Sequence, residues 1–357
     1  MSTATAYRRD PEALRAAWHA LRSERNVRAR DAADLLGVSE AELLACTCGT
    51  GVTRLEGDLR RLLERAGELG TVMGLTRNVD VVHEKVGRYE NVSADGMVGL
   101  ALGDDIDLRL FFQHWKLGYA VSEPTDRGMR RSLQVFDATG TAVHKIFLRQ
   151  ESNEAAWHEL TDAFAAARQT PGEEVAATAA AASHDAASAT DVDGFLAGWA
   201  AMQDTHEFFP LLKRFGVSRT LALQLAQDRF ATRVEAPTVR ALLQEAARTQ
   251  VPIMVFVGNP GCIQIHTGPV RNIQIMGPWL NVMDPGFNLH LREGHIAQAW
   301  VVRKPTSEGD VTSLELFNAQ GETMAMVFGK RKPGIPEMTE WRELLGAVAV
   351  ARPVGEA

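Results

Sequence analysis

Only three of the 357 residues are cysteines, Cys46, Cys48 and Cys262, too few and too odd a number for a disulfide framework. No stretch approaches the ~18 consecutive apolar residues of a membrane-spanning helix. The opening MSTATAYRRDPEALRAAW has no apolar core of the kind a secretory signal carries. A reduced, cytoplasmic protein without membrane insertion is therefore expected. Positive charge is also in short supply: 38 lysines and arginines against 45 aspartates and glutamates give a net −7. That balance argues against a globally basic nucleic-acid binder, and no nucleic-acid partner is expected. GxGxxG, P-loop and G-x-S-x-G patterns are missing, which removes support for dinucleotide, nucleoside-triphosphate and serine-hydrolase chemistry. The Cys46-Thr47-Cys48 pair has no second pair at zinc spacing and reads as small residues at a helix end before Gly49. His83, His266 and His290 fall in or near expected strands, but no H-x-H or H-E-x-x-H spacing joins them.

What is present is an internal duplication. SLQVFDATG at 132–140 matches SLELFNAQG at 313–321, 181 positions on. The same offset aligns DLRL (107–110) with NLHL (288–291), GRYENV (87–92) with GPVRNI (268–273), and Trp18 with Trp199. Two repeats follow, an N-terminal one over 1–169 and a C-terminal one over 193–357. The Ala-rich segment 170–192 between them has no useful apolar periodicity and reads as a linker. The apolar share of 45% and charged share of 23% are those of a globular protein.

Each repeat has one coarse plan: a Trp-bearing helix, a short helix after Gly-Val-Ser, a run of strands, and a closing helix (154–167 and 337–349). LQVF-DATG-TAVHKIF and VTSLELF-NAQG-ETMAMVF read as hairpins, since period-2 alternation flanks turn residues. Clustered strands with flanking helices give an α+β class with a large antiparallel sheet in each half. The two similar halves are expected to pack with pseudo-twofold symmetry and a ligand cleft between them.

A site on a duplicated scaffold is expected to show as asymmetry. In DGFLAGWAAMQDTHEFFPLLKRFG, Phe195, Trp199, Met202, His206 and Phe209 fall at helical spacing on one face, with His206 its polar member. Neither register of the first repeat offers a histidine there. Pro210, four residues after His206, is expected to kink the helix and open a pocket at the imidazole. Spacing alone leaves His206 either as a ligand or as a core histidine satisfied by a carbonyl. Arg109 in DLRL corresponds to His290, and strand alternation puts it on one face with Asp107. On spacing alone that pair reads more simply as a solvated strand face. Arg219, Lys304, Lys330, Arg331 and Lys332 are scattered cations able to converge on a carboxylate or phosphate. RARDAADLLGVSEAELLA (28–45) has the look of a helix-turn-helix, but the second repeat holds the same Gly-Val-Ser turn, so an αα-hairpin is the simpler reading.

Three stretches then identify the chain as resembling the bacterial hemin-degrading factor or haem-utilisation family, of the HmuS/HemS/ChuS hemin-transport type. They are WAAMQDTHEFFPLL (199–212), GNPGCIQIHTGPVRNIQIMGPWLNVMDPGFNLHLREGHIAQAWVVRKPT (258–306) and SLELFNAQG, with VHEKVGRYENV, DIDLRLFFQHW and SLQVFDATG in the first half. The resemblance implies a duplicated α+β fold holding one haem. It implies His206, in the family's M-x-D-x-H-x-F-F pattern, as the axial iron ligand, and Arg109 on the distal side. Arg219, Lys304 and Arg331 look like its cations for propionates or the pocket rim, and Met254, Phe256 and Phe328 like its apolar wall. Met326 and Phe328 stand where close relatives are expected to carry Gln and Tyr, and Cys46 and Cys48 are untypical.

The chemistry agrees. Haem is flat, apolar and anionic at its propionates, so it needs an apolar slot, an imidazole-type donor and cations at the rim. A guanidinium makes a poor ligand, but it can hold a distal water by hydrogen bonds. The resemblance implies two functional classes. One is a haem-degrading, haem-oxygenase-like oxidoreductase with Arg109 as its distal catalytic group. The other is a carrier that takes hemin from an ABC importer to a separate haem oxygenase. A reductase partner belongs to the first. The alternative from another class is a haem-responsive DNA-binding regulator acting through 28–45.

Overall fold

A computed structural model describes residues 10–25, 27–177, 191–332 and 334–350. The middle of the expected linker, 178–190, lies outside the described residues. The chain divides into two compact units. The first comprises Met1–Arg77, Glu84–Ala179 and Gly258–Gln264, and the second Asn78–His83, Ala180–Val257 and Ile265–Ala357. Each unit borrows a short piece from the other half of the sequence, which no contiguous division at the linker anticipates.

The first unit opens with helices α1 (Pro11–Glu24), α2 (Ala29–Leu36) and α3 (Glu40–Ala45), then β1 (Val52–Leu55) and α4 (Leu59–Glu64). Strands β2 (Val72–Arg77), β3 (Val81–Gly87), β4 (Val92–Ser93), β5 (Val98–Leu102), β6 (Asp107–Phe111), β7 (Leu117–Thr125), β8 (Gly128–Phe136) and β9 (Ala142–Leu148) follow, and α5 (Glu154–Phe164) closes it. Its strands run in the order β1-β7-β8-β9-β2-β3, with β6-β5-β4 as a second group. The second unit has α6 (Val192–Ala200), α7 (Phe208–Phe215), α8 (Arg219–Leu225), β10 (Ala231–Val234) and α9 (Thr238–Thr249). After them come β11 (Ile253–Asn259), β12 (Cys262–Gly268), β13 (Ile273–Met276), β14 (Trp279–Asp284), β15 (Phe287–Arg292), β16 (Gln298–Lys304), β17 (Val311–Phe317), β18 (Thr323–Gly329) and the closing α10 (Thr339–Val350). Its order repeats the first: β10-β16-β17-β18-β11-β12, with β15-β14-β13. The neighbours pair antiparallel. The α+β class and the duplication read from the sequence are what the chain adopts.

The repeated motifs have local causes. In both Gly-Val-Ser turns the glycine, Gly37 or Gly216, takes a left-handed conformation (φ 70° and 63°) that ends one helix. The serine, Ser39 or Ser218, then caps the next by accepting from Glu42 N or Leu221 N, each at 3.2 Å. Glu42 answers Ser39 with a bond to its backbone N–H, completing a capping box. The hairpins are equally parallel. Asp137 accepts from the backbone of Thr139 and Thr141, and Asn318 from Gln320 and Glu322. Gly140 and Gly321 sit at positive φ, and a register shift follows in each strand pair.

In the second unit, alternation sorts the two faces of the sheet. Ile253, Val255 and Val257 of β11 are buried with Leu242 and Leu243 of α9 and Trp341, Leu344 and Leu345 of α10. On the opposite face, Trp300, Val302 and Phe317 are buried under Phe195, Trp199, Phe208, Leu211 and Leu212 of α6 and α7. That cover is partial. Antiparallel register aligns Trp300, Glu315, Met326 and Phe256 in one row, and Val302, Ser313, Phe328 and Met254 in the next. At the uncovered end, Met254, Phe256, Met326 and Phe328 remain half-buried.

The 28–45 segment forms the expected αα-hairpin. Glu40, Ala41, Glu42, Leu43 and Ala45 of its second, six-residue helix are all buried.

Candidate functional site

The continuous kinked helix expected through His206 does not form. Helix α6 ends at Ala200, a 3-10 turn spans Thr205–Glu207, and α7 restarts at Phe208. The cause is the pair Asp204 and Pro210. Asp204 caps the turn, and Pro210 falls in the first turn of α7, where a missing N–H costs nothing. His206 is therefore not the polar member of a buried stripe. Phe195, Trp199, Met202 and Phe208 are buried, but the His206 side chain is 90% exposed and Phe209 is 64% exposed.

The exposed imidazole is nevertheless fixed. One oxygen of Asp204 accepts the His206 backbone N–H at 2.7 Å and lies 2.6 Å from its Nδ1. A carboxylate at Nδ1 places the ring proton there and leaves the Nε2 lone pair pointing outward. The His206 backbone N–H, ahead of the ring N–H, holds the Asp204 carboxyl below its usual pKa, and Arg331 adds to the effect. Arg331 thus lies within electrostatic reach of this pair. Lys330 and Lys332, beside it, are exposed.

The apolar residues singled out in the sequence come together. Met254 is opposite Phe328 and Phe256 opposite Met326 across β11 and β18. The Phe256 and Phe328 rings meet edge-on at 5.1 Å. They form a wall on the half-open end of the sheet face described above.

Arg219 and Lys304 also converge, on a partner that sequence reasoning missed. Glu315, fully buried in β17, takes a bidentate pair of bonds from Arg219 at 2.7 and 2.8 Å and one from Lys304 Nζ at 2.6 Å. Ser313 Oγ adds a bond at 3.1 Å. Burial alone would raise the Glu315 carboxyl, but Arg219 and Lys304 outweigh it and hold the group well below the carboxylate range. Burial pulls the Lys304 ammonium down to about 8, against the pull of Glu315. Both cations lie over the Phe208 ring, at 5.1 and 4.9 Å, and Lys304 lies 5.9 Å from the Phe328 ring centre. Met326 Sδ accepts from Arg219 at 3.3 Å, so its thioether is engaged within this cluster. A signal for Glu315 existed: strand alternation in SLELF puts a carboxylate on the same face as Phe317, and a buried carboxylate requires a cation.

The first unit builds the sister position with the signs exchanged. The 181-residue offset carries Glu315 to Gln134 and Met326 to Lys145, and the Gly-Val-Ser turns carry Arg219 to Glu40. There the helix supplies the acid: buried Glu40 pairs with Lys145 and Arg77. Burial opposes its ionisation, but Lys145 and then Arg77 lower it to about 2.

The remaining candidates are placed as follows. Arg109 is on β6 of the first unit, half-exposed, bonded to Asp107 and to Leu108 O. His290 Nδ1 donates to Asn281 Oδ1 at 2.6 Å. His83 and His266 are both buried against the Phe287 ring, with His266 stacked at 3.8 Å. Cys46, Cys48 and Cys262 are buried free thiols, and burial raises Cys46 to about 11 and Cys262 to about 12. Among the described residues no helix is long and apolar enough to cross a membrane.

An oriented imidazole with a cation in electrostatic reach, an apolar wall and two cations sharing a buried carboxylate are groups that suit a flat apolar anion with an iron centre. Comparison with known proteins points the same way. The pattern of the haemin-degrading HemS.ChuX domain matches twice, over residues 37–164 and 216–348. A hemin transport protein HmuS from Yersinia pestis is 42% identical over 88% of this chain and 91% of its own length. The crystal structure of holo-PhuS, a heme-binding protein from Pseudomonas aeruginosa, superposes with a TM-score of 0.89 at 48% identity, covering 94% of this chain and 98% of that one. The heme-degrading enzyme ChuS from Escherichia coli O157:H7 gives a TM-score of 0.88 at 38% identity, over 94% and 99%.

Proposed function

The chain belongs to the family of the haemin-degrading HemS/ChuX domain, carried in two copies, and from that premise we propose that it binds haem in the cytoplasm as part of haem iron use. Imported hemin is then its substrate or cargo. The observation that carries this reading is the Asp204–His206 pair, whose exposed Nε2 suits an axial bond to iron. Met254, Phe256 and Phe328 would supply the apolar wall, and Arg219, Lys304 and Arg331 the cations for propionates. Arg109 is the guanidinium proposed to hydrogen-bond a distal ligand.

Haem itself supplies the redox chemistry when bound. This chain's part would be to bind it, hold its edge charges with Arg219, Lys304 and Arg331, and orient the His206 imidazole through Asp204. Titration of the apo-protein with ferric haem, beside His206→Ala, tests the reading. A saturable 1:1 site whose Soret and ligand-field bands change in the variant supports it. Identical spectra and affinities in the two proteins overturn the His206 assignment.

Degradation and delivery need the same ligand and differ in fate. Turnover with a reductant and oxygen distinguishes them: a catalyst releases iron and a tetrapyrrole product, and a carrier passes intact haem to a haem oxygenase.

A further inference from the structure

The second unit gathers two cations, buried Lys304 and half-buried Arg219, on one buried acid beside the apolar wall, and the geometry of that cluster decides what it can recognise. Arg219 and Lys304 each carry one positive charge, and Glu315 offsets only one of them. We infer that Glu315 is a positioning residue that locks Arg219 and Lys304 into one rigid group with a single net positive charge, and that this group selects a carboxylate on the edge of a flat apolar ligand lying against Met254, Phe256 and Phe328. The inference rests on the haem-binding reading and deepens it, by assigning the cluster's specificity to a residue that never needs to touch the ligand.

Three features support it. Geometry comes first: the bidentate fork from Arg219 and the single bond from Lys304 converge on a carboxylate that is 0% exposed, so Glu315 itself faces no solvent and no ligand. Second, both cations are pinned over the same Phe208 ring, and Lys304 lies next to Phe328 of the wall. Freedom of two long side chains is thus removed before any ligand arrives, which lowers the cost of binding. Third, Glu315 keeps Lys304 charged and fixes where the net charge of the group sits. Among the described residues, the charged groups acting on Lys304 are Glu315, which favours its ammonium, and Arg219, which opposes it. Without Glu315, Lys304 would shed its proton beside Arg219, and the one remaining charge would sit on a guanidinium no longer held by the carboxylate fork.

The test compares ferric haem with its dimethyl ester, which keeps the ring and iron and lacks the two carboxylates. In the wild-type protein at pH 7 haem should bind at least tenfold more tightly than the ester. That ratio should fall toward one as pH rises through about 8, where Lys304 loses its proton, while Arg219 and Glu315 keep their charges. Changes at the iron itself affect both ligands and cancel in the ratio. In Glu315→Gln the net charge stays the same but the fork that aims Arg219 is lost, so the ratio at pH 7 should drop to threefold or less, mostly through weaker haem binding, and Glu315→Asp should recover part of it. A ratio that stays constant from pH 6.5 to 9.5 in the wild type would overturn the inference, even if the Gln variant fails to fold. So would a Gln variant that folds and keeps the full ratio. Failure of the haem reading looks different: neither haem nor ester then gives a saturable complex that responds to His206→Ala.

Discussion

Oδ1 of Asp204 holds His206 twice, by the backbone N–H at 2.7 Å and by the ring Nδ1 at 2.6 Å. The first contact sets the turn and the second sets the tautomer, so one atom determines both where the imidazole stands and which nitrogen it offers. Removing it should loosen both. Asp204→Ala is expected to weaken ferric haem binding by about 10–100-fold, the usual effect of losing a partner behind a metal-ligating histidine. Asp204→Asn keeps an acceptor for the cap but loses the charge, and should cost less. Spectral titration of the two variants measures the difference.

Lys304 and Glu315 should be coupled in stability as well as in recognition. Lys304→Ala leaves Glu315 buried with Arg219 alone, and the expected loss lies toward the lower end of the ~3–5 kcal/mol typical of a broken buried pair. Urea denaturation at pH 7 reads it. The double variant Lys304→Ala with Glu315→Ala should lose less than the sum of the single losses, because the pair's mutual interaction is removed only once.

The first unit should weaken in mild acid through His144. Its ring is fully buried, with Nε2 2.5 Å from Tyr89 OH and Nδ1 2.8 Å from Thr76 Oγ1. Thr76 in turn donates to Gln264 Oε1 at 2.9 Å, so it accepts from His144 Nδ1, and Nε2 accepts from Tyr89. Every polar atom in that chain is matched to a neutral imidazole. Burial lowers His144 from 6.5 to about 3. A depressed folded value means that the stabilisation is whole above 6.5 and is lost as pH falls from there toward 3. At pH 5 the loss should be about 2 kcal/mol, from ~1.4 kcal/mol per unit. His144→Gln should show a shallower fall in stability between pH 7 and 5, measured by urea midpoints at each pH.

Gly329 closes β18 against the tryptophan of the last helix. A Cβ placed there would stand 2.5 Å from Trp341 Cγ and 2.7 Å from its Cβ. Trp341 is fully buried and donates Nε1 to Thr312 Oγ1 at 3.0 Å, so it has little room to move. Gly329→Ala is expected to cost about 1–3 kcal/mol as an overpacked core. A thermal melt with unchanged stability would show that the helix end shifts freely instead.

Much of this molecule was legible in the sequence because its signals are local. Gly-Val-Ser turns, D/N-x-x-G hairpin loops and period-2 strands act over a few residues, and both copies display them at a constant offset. The duplication and the α+β class follow from such patterns, whereas the wall of Met254, Phe256 and Phe328 comes only with the family resemblance. His206 stands out in the sequence as an asymmetry between the repeats, but spacing does not give its setting. Helical spacing from Phe195 to Phe209 looked continuous, yet the run Gln203-Asp204-Thr205 breaks it, because a capping aspartate competes with the helix for backbone N–H groups.

By itself, then, the sequence determined the repeat, the elements and the residue types of the site, since each depends on backbone preference and short-range hydrogen bonding. Only the tertiary structure decided that Arg219, Lys304 and Glu315 form one cluster, across separations of 96 and 11 residues. It also decided that the first unit fills the sister position with Glu40, Lys145 and Arg77. Charge pairing inside a sheet acts through distance and burial, and neither is encoded at any fixed spacing along the chain.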